Sequence, residues 1–202
     1  LYHVRLLDPE TETEGGLALP EVAQGNRSDA IVLAAGEGRK FENNERHLMN
    51  AQAGDRVVFL PHALRELEPR EGCVHDAELL AVLPGPDHMA IVPANSYLLV
   101  KPDRDEATFD GGLIVKPDSA RKQPCHGVVV SWGPGEVRTK GPLAATRHTV
   151  PQALNHFPAE DGPLEGARIH WMPSAQTVDL SDDRGTHFAL VHAGDCFAVE
   201  IP

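Results

Sequence analysis

The stretch AIVLAAGEG at residues 30–38 returns as GVVVSWGPG at residues 127–135, an apolar run closed by Gly-x-Gly that appears twice, 97 positions apart. Neither copy reaches the third glycine of a dinucleotide fingerprint or opens a helix, so each reads as a strand entering the turn at the base of a hairpin. Working outward, both anchors have the same neighbours in the same order. Upstream lie a strand, from Tyr2 in the first copy and Tyr97 in the second, then an acidic stretch and a double glycine with an apolar tripeptide. The double-glycine segments are Gly15-Gly16-Leu17-Ala18-Leu19 and Gly111-Gly112-Leu113-Ile114-Val115. Downstream come a polar stretch, a glycine and a strand, Arg56 to Leu60 and Ala167 to Met172, then a closing apolar run after an aspartate. That run is read as PDHMAIV (86–92) in the first copy and GDCFAVEI (194–201) in the second. Gly15 and Gly111 are 96 positions apart, Gly36 and Gly133 97, and Gly54 and Gly166 112, so the second copy carries an insertion, from about Val137 to Leu164. A duplication is the economical reading of so many landmarks in one order.

The 18 glycines and 17 prolines punctuate short runs rich in Val, Ile, Leu and Phe, which predicts an all-β chain. Further strands are expected at Tyr2 to Leu7, Ala30 to Ala35, Glu78 to Leu83, Met89 to Val92, Tyr97 to Lys101, Gly127 to Trp132, His187 to His192 and Cys196 to Ile201. The best helical stretch, Pro151 to Phe157, is barely two turns. A net charge of −12 argues against a nucleic-acid backbone or an anionic membrane as partner, since both call for a basic face. No apolar run approaches the ~20 residues of a membrane helix.

The cysteines, Cys73, Cys125 and Cys196, are odd in number and widely spaced, which indicates neither a disulfide framework nor a zinc knuckle. This usage fits a reducing, cytoplasmic compartment, with an upstream organelle leader left open because the sequence starts at Leu1. Eleven histidines include Cys73-x-His75 and Cys125-His126, whose spacing matches no structural zinc pattern, so no metal is expected. There is no phosphate loop and no G-x-S-x-G, and Asp182-Asp183 and Glu160-Asp161 lie in polar stretches as solvated carboxylates. Phosphate-loop and hydrolase readings therefore have no anchor in the sequence.

Taken in order, ETEGGLALP, AIVLAAGEGR, AGDRVVF and PDHMAIV in the first copy, and FDGGLIVKP, GVVVSWGPGEV, EGARIHW and GDCFAVEI in the second, resemble the GroES-type co-chaperonins of the chaperonin-10 family. The resemblance covers nearly the whole chain, and two copies in one chain resemble the double co-chaperonins of plastids. It implies two tandem Greek-key β-barrels, residues 1–94 and 95–202, each with a mobile loop and a roof hairpin, the second roof enlarged. It also implies a partner, a GroEL-type chaperonin in its nucleotide-bound state, capped through Gly15, Gly16, Leu17, Ala18 and Leu19 and through Gly111, Gly112, Leu113, Ile114 and Val115. The same likeness implies a homo-oligomeric or mixed ring, and a binding protein, not an enzyme, that needs no cofactor of its own. Two departures stand out: Asp29 where the family has glycine, kept at Gly127, and the small Ala18 in the first tripeptide. Ala18 and the roof insertion favour the alternative, a diverged interaction protein of tandem barrels that no longer binds a chaperonin. A barrel of the alcohol dehydrogenase type would need a nucleotide-binding half that this sequence lacks.

Overall fold

The computed structural model describes residues 1–7, 28–38, 40, 46, 48–85, 90–103, 108–109, 114–115, 125–137, 147–148, 164–181 and 186–200. Within them every regular element is a strand or a single 3-10 turn, and no helix is long and apolar enough to cross a membrane. The first copy supplies β1 (Tyr2–Leu6), β2 (Ser28–Ala35), β3 (Arg56–Phe59), β4 (Arg65–Glu68), β5 (Glu71–Val74), β6 (Leu79–Leu83) and β7 (Val92–Pro93). The second supplies β8 (Tyr97–Pro102), β9 (Thr108–Phe109), β10 (Ile114–Val115), β11 (His126–Trp132), β12 (Glu136–Val137) and β13 (Arg147–His148). It continues with β14 (Arg168–Trp171), β15 (Val178–Ser181), β16 (His187–His192) and β17 (Cys196–Glu200).

Strand order repeats as well as strand sequence. The first sheet runs β4-β5-β1-β2-β3-β6-β7 and the second β15-β16-β8-β11-β14-β17, the same order with one edge strand fewer. Registers agree to the residue. Tyr2 lies opposite Ala35 and Leu6 opposite Ala30; Leu98 lies opposite Trp132 and Pro102 opposite Gly127. An extra residue bulges from β2 at Leu33 and from β11 at Val130, and another from β6 at Leu80 and from β17 at Phe197. Bulges re-aim a strand at one defined place, so two of them in matched positions mark a duplicated architecture.

Alternation explains which side chains go inward. Tyr2 and Val4 in β1 match Leu98 and Val100 in β8, all buried, and Phe59 matches Trp171. Burying aromatics and branched aliphatics of this size contributes ~1.5–3 kcal/mol each. The first core gathers Tyr2, Val4, Val32, Val57, Phe59 and Leu79; the second gathers Leu98, Val100, Val129, Ile169, Trp171 and Val191. The all-β expectation in two tandem copies is met.

Four readings are corrected. The first copy closes with Leu79–Leu83, not with PDHMAIV: β6 is the strand that pairs with β3 as β17 pairs with β14, and among the described residues of the later run Val92 enters a strand, β7, on the far side of β6. Every residue of β6 is buried, so its sequence carries no alternation to mark it, and the aspartate-led run was the more conspicuous match. Second, Tyr97 is the counterpart of Leu1, and Leu98 that of Tyr2. Third, Gly127 matches Ala30, while Asp29 matches His126, so Asp29 replaces no glycine. Fourth, β4, β5 and β15 were not foreseen; β4 is Arg-Glu-Leu-Glu, exposed throughout, and carries no apolar signal. The helical candidate Pro151 to Phe157 lies outside the described residues.

Candidate partner-binding loops and interfaces

Each double-glycine segment belongs to one matched connection, β1 to β2 in the first copy and β8 to β11 in the second, and the roots of both connections are clasped alike. Leu7 N–H donates to the Asp29 carbonyl (2.9 Å) in the first copy, and Asp103 N–H to the His126 carbonyl (3.1 Å) in the second. An arginine on the next strand holds an acid at each root: Arg56 Nη2 donates to Asp29 Oδ2 at 2.8 Å, and Arg168 Nη1 donates to Asp103 Oδ2. The acid has moved from the second strand to the end of the first while the arginine stayed. His126 adds a contact of 3.3 Å to Asp103 and stacks on His170, ring centroids 5.7 Å apart.

The opposite ends of β2 and β11 carry the Gly-x-Gly turns, as expected for hairpin bases. Beyond Gly38 and Gly135, at φ +83° and +87°, Lys40 bridges Arg46, and Glu136–Val137 pairs with Arg147–His148. An eight-residue strand spans ~26 Å at about 3.3 Å per residue. Loop roots and roof hairpins therefore sit at opposite ends of each sheet.

Of the predicted contact residues, Gly15, Gly16, Leu17, Ala18 and Leu19 lie outside the described residues, as do Gly111, Gly112 and Leu113. Ile114 and Val115 form β10, antiparallel to β9, with Ile114 opposite Phe109 and Val115 opposite Thr108. Cys73 lies on β5, and His75 Nδ1 accepts from Ala77 N–H (3.2 Å) as a cap, which His192 repeats for Gly194 (3.1 Å). Among the described residues no three His, Cys, Asp or Glu side chains gather where a metal could sit.

Two features went unseen in the sequence. One is a buried polar cluster: Tyr2 hydroxyl donates to Asp76 Oδ1, and Asn50 donates to both Asp76 oxygens (3.0 and 2.9 Å). Asn95, at φ +48°, donates to the Asp76 and Leu79 carbonyls (2.9 and 3.0 Å), and its own carbonyl accepts from Gly135 N–H at 2.8 Å. Burial, then the hydrogen bond and charge of Asp76, push the Tyr2 phenol far above its ordinary range. Asn95 thus ties the last turn of the first copy to the roof base of the second.

The other is a shared apolar face. Val58, Leu80, Ala81 and Leu83 of the first copy pack with Leu99, Val178, Leu180 and Leu190 of the second. The two copies are joined face to face, and by different faces. Nothing in the alternation of either copy alone distinguishes such a residue from one that meets solvent.

The family model for the chaperonin 10 Kd subunit matches residues 3–83 and 90–151. The chain is 26% identical over 169 residues to the Arabidopsis thaliana "20 kDa chaperonin, chloroplastic", covering 79% of this chain and 66% of that protein, just under two thirds of its length. It is 33% identical over 84 residues to "Co-chaperonin GroES" of Bacillus cytotoxicus, and 31% identical over 84 residues to that of Bacillus subtilis. Each of these two matches covers 40% of this chain and 88% of the relative.

Proposed function

Because the chain belongs to the chaperonin 10 Kd subunit family, we propose that it works as a co-chaperonin lid, capping a GroEL-type chaperonin in its nucleotide-bound state and assisting protein folding. One observation carries this reading: in both copies the glycine-tripeptide connection leaves one end of the sheet while the hairpin base sits at the other. A lid needs that polarity, with contacts on one rim and cover on the opposite side. The tripeptides Leu17-Ala18-Leu19 and Leu113-Ile114-Val115 are the proposed contacts.

Each large aliphatic side chain buried in the partner contributes ~1.5–3 kcal/mol, while ordering the loop costs ~1–2 kcal/mol per residue. One loop therefore binds weakly. Several loops on one assembly, of this chain alone or mixed with single-domain partners, offset that by raising the effective concentration of the next contact. Weak single contacts also allow release when the partner's nucleotide changes. In this reading the domains divide at residues 94 and 95, ATP chemistry stays with the partner, and the chain works where that partner does, in the cytoplasm.

The test is nucleotide-dependent binding to a GroEL-type chaperonin from the same source, with ATP or ADP. Binding is expected with the unaltered chain and expected to fall at least about tenfold for Ile114→Asp, a loss of ~1.4 kcal/mol. Leu17→Asp reports whether the first loop, with its smaller Ala18, shares the work. A folded protein that binds in neither nucleotide state overturns the lid.

A further inference from the structure

A segment that joins two repeats is ordinarily exposed and free to bend. Between β7 and β8 the opposite holds, for Ala94, Asn95 and Ser96 are all buried. Asn95 stands in the left-handed region at φ +48°, a conformation that asparagine tolerates, and it serves both copies at once. Its side-chain amide donates to the Asp76 and Leu79 carbonyls of the first copy (2.9 and 3.0 Å), and its Oδ1 accepts from Asn50 Nδ2 at 3.3 Å. Asn50 lies on the chain leaving the first hairpin, beyond the Lys40–Arg46 bridge, and itself donates to the Asp76 carboxylate. The Asn95 carbonyl turns to the second copy and accepts from Gly135 N–H at 2.8 Å. Gly133 comes so close that a Cβ there would collide with the same carbonyl oxygen and lie 2.8 Å from the Ala94 carbonyl. One residue on, the Ser96 carbonyl accepts from Ala193 N–H (2.9 Å), in the second copy's counterpart of the Asp76 turn.

The two hairpin bases face each other across open space. Leu48, Met49 and Asn50 of the first and Pro134 of the second line one groove of about 430 Å3, floored by Val82, Val92 and Pro93. That space leaves the hydrogen bonds through Asn95 to hold the bases in step. Asp76 and Asn95 are buried, so breaking one bond of the network strands a polar group away from water. Such a network is closed as a whole or open as a whole.

We infer that Asn95 is a latch between the two hairpin bases of one chain: Asp76 and Asn50 of the first copy hold Asn95 in place, Asn95 holds Gly135 of the second, and the two bases loosen together. Coupling of this kind is reciprocal, so whatever loosens one end loosens the other by the same factor. The hairpins of a chain therefore move as one unit, while the glycine-tripeptide connections, rooted at the opposite ends of the sheets, stay independent of the latch. The inference goes beyond the proposed function and is tested on the free chain, so its failure leaves the lid reading standing.

The experiment is amide hydrogen exchange followed at single residues by NMR, on the unaltered chain and two variants, with thermal melts to verify folding. Asn50→Ala alters the first copy alone, and Asn95→Gly removes the latch side chain while keeping the left-handed backbone accessible. Asn50→Ala is expected to speed exchange at the Gly135 amide about tenfold, although Asn50 makes no bond to Gly135. Asn95→Gly is expected to speed exchange at Asn50 and at Gly135 by similar factors. The Leu7 and Asp103 amides, which clasp the loop roots, should keep their rates in both variants. An unchanged Gly135 amide in Asn50→Ala would overturn the latch, since the first base would then loosen alone. Equal acceleration at Leu7, Asp103 and Gly135 would overturn it too, because the substitution would have lowered the stability of the whole chain.

Discussion

At one site the two copies solve the same packing problem with opposite chemistry. Where the first copy buries Tyr2 against Asp76, the second buries Leu98 beside Ala193, with Tyr2 and Leu98 on matched strands and Asp76 and Ala193 opening matched 3-10 turns. The polar version holds only because Asn50, Ala51 and Asn95 complete its hydrogen bonds; the apolar version needs no such company. Asp55 and Ala167 differ likewise: the Asp55 carboxylate accepts from Gln52 N–H (2.9 Å) and Gly85 N–H (3.1 Å), while Ala167 keeps only the shared backbone turn. A backbone frame, then, can stay fixed while side chains trade burial energy for hydrogen bonding, provided that the trade is complete.

Exchanging residues between copies tests this directly. The largest effect is expected at the shared face: Leu83→Glu or Val58→His, which place second-copy residues in the first, should each cost ~3 kcal/mol or more in denaturant unfolding, because a polar or charged group is buried without a partner. The reverse change, His170→Val, should stay within ~0.5 kcal/mol, as for other partly exposed sites. Equal costs at both positions would mean that the faces are not different in kind.

Asp76→Ala comes next, at ~3 kcal/mol, since the Tyr2 hydroxyl and the Asn50 donors lose their acceptor. Tyr2→Leu combined with Asp76→Ala, the second copy's solution, should recover part of that loss. A double variant no better than the single would show that Asn50 and Asn95, not the tyrosine, set the requirement.

A smaller cost is expected from Gly127→Ala. A Cβ there would lie 2.5 Å from the Lys101 carbonyl and 2.8 Å from Val100 Cγ1, whereas Ala30 already carries a methyl group at the matched place. Strand β8 has to shift, at ~1–3 kcal/mol by thermal melting. Ala30→Gly should cost ~1 kcal/mol or less, through chain entropy.

The least effect on stability, though a clear chemical one, concerns Cys196, the counterpart of the core residue Leu79. Burial, with the charge of Asp195 adding, pushes its thiol up to about 12. Alkylation of the folded chain near pH 8 should leave Cys196 labelled last, with mass spectrometry giving the order. Rapid labelling at Cys196 would place it outside the core that its register implies.

How much was legible follows the same physical lines. Strands with one wet face, such as β1 and β14, announced themselves by alternation. The Gly-x-Gly turns did so by composition, and their positive φ at Gly38 and Gly135 explains the residue type. Strands dry on both faces or wet on both did not: β6 gave no register and β4 no apolar signal. The loop tripeptides were legible as motifs, and of them only Ile114 and Val115 fall among the described residues, as backbone in β10.

The sequence by itself determined the class of the fold, the duplication and the family likeness, because turn glycines, strand periodicity and the order of landmarks are local properties that survive in the linear chain. Only the tertiary structure decided which run closes the first copy, which residues the two copies share, and where Tyr2, Asp76, Asn50 and Asn95 meet. Those are contacts between segments far apart in the chain, and a buried leucine in β6 looks the same in sequence whether it faces its own core or a neighbour's.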